Sequence, residues 1–123
     1  MIGPELSIMK KSAQPENEEA VLISLDGQGL DDAVYQAYDL STLEDLLSEQ
    51  IGPDDIGELD GHEIGPSQTT IYLYGSDAEE LFSRVQPVLA SYPLCQNSRA
   101  VIRRGGPGSS QREVIFPMVK RSN

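Results

Sequence analysis

The run Ala20 to Leu25 (AVLISL) is short, apolar and carries the β-branched Val21 and Ile23. A run of this kind suits a strand covered on both faces or central in a sheet, so the rest of the chain must supply its neighbours. It stops at Asp26-Gly27-Gln28-Gly29, a turn signal. The next most strand-prone segment is Thr69 to Tyr74 (TTIYLY), in which alternation puts Ile71 and Leu73 on one face and Tyr72 and Tyr74 on the other. Ile56 to Ile64 (IGELDGHEI) precedes it across Gly65-Pro66-Ser67-Gln68, a spacing that predicts a hairpin with a longer loop. Gly61 inside that strand marks a bulge. Ala100 to Arg104 and Glu113 to Met118 read as a second hairpin across a Gly-rich turn.

Between these strands the apolar period changes. Leu40, Leu43, Leu46, Leu47 and Ile51 recur at helical spacing behind Ser41-x-x-Glu44, a capping box, and Gly52-Pro53 stops the helix. A second helix opens at Ser76-x-x-Glu79, with Asp77, Glu79 and Glu80 in the first turn, where the helix dipole favours negative charge. Ala78, Leu81, Phe82, Val85, Leu89 and Tyr92 form its apolar stripe. Pro87 is expected to kink that helix and not to end it, because the spacing continues beyond. Residues 31–39 fit a loop and a short irregular helix equally well.

The succession strand, helix, strand, strand, helix, strand, with an extra terminal strand, predicts an α+β fold: a ferredoxin-like two-layer sandwich (βαββαβ plus a C-terminal strand) with two helices on one face of an antiparallel sheet. The expected organisation is a flexible N-terminal tail over 1–19, one sandwich domain over 20–118 and a frayed end over 119–123.

Charge divides the chain. Of 20 Asp and Glu residues, 18 fall between residues 12 and 83, which hold no Lys or Arg; from Arg84 onward seven basic residues face Glu113 alone. The net charge of −11 repels nucleic-acid backbones and anionic membranes and favours a basic protein partner. No apolar run is long enough for a membrane span, and the first eleven residues lack the apolar core of a secretory signal. The single Cys95 has no CxxC partner, so a reducing cytoplasm is the simplest compartment.

Chemistry-bearing residues concentrate at Asp54, Asp55, Glu58, Asp60, His62 and Glu63. Carboxylates and an imidazole are metal-ligand types, but aligning Gly61 with the EF-hand glycine puts Ile56 and Ser67 at ligand positions, so no metal site is assigned. Without a bulge, alternation sends Glu58, Asp60 and His62 to one side and Glu63 to the other. His62, the only histidine, has no nucleophile-elbow serine to serve, and no cofactor fingerprint is present. Arg103-Arg104 with Arg112 near a Gly-rich turn lacks the phosphate-loop pattern. The candidate contact surface is therefore the sheet face left open by the helices, with Tyr72, Tyr74, Glu58, Asp60, His62, Arg103 and Arg104, since Tyr and Arg are enriched at interfaces.

The segments Gly57-Glu58-Leu59-Asp60-Gly61-His62-Glu63 and Tyr72-Leu73-Tyr74-Gly75-Ser76-Asp77-Ala78 with Leu81-Phe82 resemble small uncharacterised bacterial proteins in which a GE-x-DG-x-E strand precedes a YLYG-x-DA-x-x-LF strand-to-helix junction. That resemblance implies no activity, cofactor or site residue. In size and acidity the chain is also similar to bacterial immunity proteins, which neutralise basic toxins by direct contact. The leading expectation is a non-enzymatic binding protein, an immunity or inhibitor role being one version. The alternatives are a small-ligand or divalent-metal enzyme centred on Glu58, Asp60, His62 and Glu63, and a homodimer joined through edge strands or open faces.

Overall fold

The structure is a computed structural model that describes residues 18–52, 56–106 and 108–117. Along them run β1 (Glu19–Asp26), α1 (Asp32–Ala37), α2 (Leu40–Ile51), β2 (Gly57–Ile64), β3 (Gln68–Gly75), α3 (Ala78–Ser91), a 3₁₀ turn (Pro93–Cys95), β4 (Ser98–Arg103) and β5 (Gln111–Phe116). Apart from Glu18 and Glu19, the expected tail over 1–19 and the expected frayed end over 119–123 lie outside the described residues.

The class is α+β: a five-stranded antiparallel sheet in the order β2-β3-β1-β4-β5, with three helices. With five strands the sheet departs from a simple ferredoxin fold. The apolar β1 is flanked by β3 and β4, the position its composition requires.

Directly opposed residues on neighbouring strands share a face, so the register sorts the side chains into two sets. Val21, Ile23, Ile71, Leu73, Ala100 and Ile102 form one set and are fully buried. They meet Leu43, Leu47 and Ile51 of α2 and Leu81, Val85 and Leu89 of α3 in a single core cluster, and Val34 and Tyr35 of α1 pack on the same cluster. All three helices therefore lie on one side of the sheet. Each fully buried Leu or Ile contributes about 1.5–3 kcal/mol over leaving it in water, so this side holds most of the apolar stabilisation. The other set includes Leu22, Tyr72, Tyr74, Val101 and Arg103, all half-buried, with no described helix over them.

Residues 31–39, where the sequence leaves two conformations open, contain α1, a helix with no fully buried residue. Its position is fixed from outside. The Tyr35 hydroxyl donates to the Asp26 carbonyl at 2.8 Å and accepts from the Leu30 N–H at 3.1 Å, so a side chain of α1 closes the turn that follows β1.

Neither helix cap is the expected serine. Asp39 caps α2, accepting from the Thr42 N–H at 3.2 Å while the Thr42 hydroxyl donates back to it at 2.8 Å. Asp77 caps α3, accepting from the Glu79 and Glu80 N–H groups. An aspartate oxygen carries full charge at the positive helix end, which favours it over a neighbouring hydroxyl. Glu19 of β1 adds to this end, accepting from the Ala78 N–H at 2.8 Å. The helix α3 runs through Pro87 to Ser91, as the continuing apolar spacing implies.

Candidate functional site

The geometry of the candidate site is set by one irregularity in β2. Leu59 opposes Leu73 and Gly61 opposes Tyr72, leaving Asp60 as the extra residue of a bulge. Gly61 has φ +144°, a conformation that a residue with a Cβ rarely adopts, which accounts for a glycine in mid-strand. The extra residue reverses the sidedness of everything after it. Glu58, opposite Tyr74, and Glu63, opposite Thr70, end on the open face, while His62, opposite Ile71, turns to the helix side.

This corrects the grouping drawn from simple alternation, because the bulge separates His62 from Glu58 and returns Glu63 to it. The His62 ring meets α2 instead, with Nδ1 2.6 Å from the Glu44 carboxylate. Glu44 is available for this contact because Asp39 and Thr42 perform the capping that a Ser41/Glu44 box would have done. Asp54 and Asp55 lie outside the described residues. Among the described residues no three His, Cys, Asp or Glu side chains converge to hold a metal ion.

On the open face, the Tyr72 hydroxyl donates to Glu63 at 2.9 Å, and this bond pushes the phenol above its usual range by favouring the protonated form. Burial pushes the Tyr74 phenol up, the negative charge of Asp60 adds to the effect, and Arg103 opposes it. The Glu18 carboxyl is likewise raised, by burial first and then by the negative charges of Glu58 and Asp60. Four carboxylates and two tyrosine rings thus line the β2–β3 half of the face.

The arginines divide between the two sides. Arg103 lies on the open face and its Nε donates to the Gly105 carbonyl at 2.9 Å. Arg99 shares that face, paired with Glu113 at 3.1 Å. Arg104, expected on the contact surface, stands instead on the helix side, 3.7 Å from Glu19. Arg112 holds Glu79 of α3 through two bonds of 2.7 and 2.8 Å and lies over the Phe82 ring. That pairing lowers the Glu79 carboxyl below its usual range. Arg103, Arg104 and Arg112 therefore do not form one anion cradle.

A depression of about 640 Å³ lies elsewhere, between α1, the end of α3, the 3₁₀ turn and the end of β5. Among the described residues it is lined by no charged side chain. Cys95 borders it fully buried, and burial pushes the thiol up to about 12, so it is held protonated and unreactive at neutral pH.

Leu22 and Val101 are the apolar members of the open face hardest to see in the sequence. Leu22 is hidden within the continuous apolar run of β1, and Val101 sits in a short strand flanked by arginines. Strict alternation against Ile23 and Ile102 is the signal that finds them. Among the described residues no helix is long and apolar enough to cross a membrane. Comparison with protein-family models, with curated proteins and with solved structures yields no match to this chain.

Proposed function

We propose that this chain is a non-enzymatic, cytoplasmic binding protein that docks a protein partner on its open sheet face, with neutralisation of a basic toxin or enzyme as one form of that role. We read its first four strands as a ferredoxin-like βαββαβ unit extended by β5. One observation carries the proposal: all three helices pack on the side of Ile23 and Ile71, and the other side presents Leu22, Val101, Tyr72 and Tyr74 among charged residues with no described helix over them. Half-buried aromatic and aliphatic groups ringed by charge have the composition of an interface, an apolar centre within a polar rim. The net charge of −11 steers a basic partner and keeps nucleic acid and anionic membranes away.

The enzyme reading needs His62 to act with Glu58 and Asp60. Its ring instead engages Glu44 on the helix side, and among the described residues the 640 Å³ depression beside α1 is lined by no charged side chain. A photo-crosslinking residue placed at Thr70 or Val101, and separately at Glu49 or Gln86 on the helices, tests the assignment inside cells. Discrete adducts with one other protein from the first pair only are expected. Adducts only from the helix positions would overturn it.

A further inference from the structure

The open face carries more detail than a general acidic contact. Two shallow depressions flank Tyr74 along the β2–β3 half. One, about 320 Å³, is bordered by Glu18, Glu58 and Tyr74; the other, about 380 Å³, by Asp60, Glu63, Tyr72 and Tyr74. Each thus combines carboxylates with an aromatic ring, the pair of groups that together hold a guanidinium or ammonium, by charge-assisted hydrogen bonds and by the ring face. The second lies at the bulge, where a Cβ built on Gly61 meets nothing within 4 Å. In it, the bond from Tyr72 fixes Glu63 in place.

Spacing identifies the partner's conformation. Tyr72 and Tyr74 are two residues apart on one strand and so about 7 Å apart, the same repeat as alternate side chains of any extended segment. Arg103 stands beyond Tyr74 toward β4 and repels a cation there, so the cationic track stays on the β2 side. Burial and then the negative charges of Glu58 and Asp60 disfavour ionisation of Glu18.

We propose that this strip receives an extended protein segment with basic residues, Arg above Lys, at alternate positions, one cation beside Tyr74 in the first depression and one beside Tyr72 in the second. This rests on the open face being the contact surface and adds which half is used and what it recognises. Arg is preferred because its planar fork matches a carboxylate and stacks on a ring.

The test is a titration of the full chain with a labelled peptide Arg-Thr-Arg-Thr-Arg, against the isomer Arg-Arg-Arg-Thr-Thr, followed by fluorescence anisotropy at low salt. The alternating peptide is expected to bind about five-fold more tightly, and Glu58→Gln and Glu63→Gln to weaken it about three-fold each, the scale of exposed ion pairs. Glu113→Gln, on the same face but at the β5 edge, is expected to leave it unchanged. These are isosteric changes at exposed positions, so folding is preserved. Equal binding of the two isomers, or equal losses from all three variants, would overturn the proposal by showing a response to net charge alone. If that happens while crosslinks from Thr70 and Val101 persist, the contact face stands and only its cationic track falls. If the crosslinks vanish too, both fall.

Discussion

At the scale of single residues, Gly61 decides which carboxylates share a surface. Its φ of +144° costs a residue with a side chain about 1–3 kcal/mol. The space around it is empty, so Gly61→Ala isolates backbone strain from crowding. Urea unfolding of that variant is expected to show a loss in this range, and an unchanged midpoint would contradict the bulge. Asp26 is the corresponding residue at the other end of the sheet. Its carboxylate accepts from the Gln28 and Gly29 N–H groups and from the Asn97 amide at 2.7 Å, tying the turn after β1 to the turn before β4. These bonds, that of Gln28 foremost, hold its carboxyl below the usual range. A carboxyl depressed on folding stabilises fully above its unfolded value, near 3.9, and that contribution disappears as the pH falls through the lower folded value. Asp26→Asn is therefore expected to reduce the loss of stability between neutral pH and about pH 3, as read by urea midpoints at the two pH values. An unaltered acid limb would contradict the assignment. The glycine signalled its bulge in the sequence. The Asn97 partner of Asp26 was not legible, because it lies far along the chain and only folding brings it near.

At the scale of elements, apolar periodicity located every strand and both long helices to within a few residues, since core burial repeats along a strand or helix and leaves a mark in the sequence. Caps and α1 were less legible. Ser41 and Asp39 are both chemically competent to cap, and residue type alone does not rank one above the other. Without a buried residue, α1 shows no period for sequence reading to find, and its Tyr35 bonds to a carbonyl nine residues away. The element α3 carries Pro87 at an exposed position, where proline supplies no N–H for the carbonyl one turn earlier. Restoring that bond in Pro87→Ala is expected to raise stability by about 1–2 kcal/mol, the helix-interior cost of proline less the extra freedom of the unfolded chain. A lower urea midpoint would show that the proline shapes how α3 sits on the sheet.

At the scale of the whole molecule, the two surfaces have unequal roles. The helix side contains the core and ties its rim with Arg112–Glu79 and His62–Glu44, which link β5 to α3 and β2 to α2. The open side retains carboxylates that are only partly offset by Arg99 and Arg103. That imbalance adds self-repulsion to a chain of net charge −11, so added salt is expected to raise the urea midpoint until screening is complete, with a Debye length of about 10 Å at 0.1 M. A midpoint that falls with salt would show that attractive pairs dominate instead. The sidedness of the sheet was readable from TTIYLY alone. The composition of the open face was not, because the glycine signals a bulge without specifying the extra residue, and with Asp60 in that role His62 leaves the face and Glu63 joins it.

The central claim, that one side of the sheet is left free for docking, is tested most directly by the paramagnetic relaxation that an inert gadolinium chelate induces on methyl groups of the full chain. Leu22, Val101 and the 62% exposed Ile115 are expected to relax strongly, and Ile23, Ile71 and Ile102, all fully buried, to be spared. Protection of Leu22 and Val101 equal to that of Ile23 would contradict it.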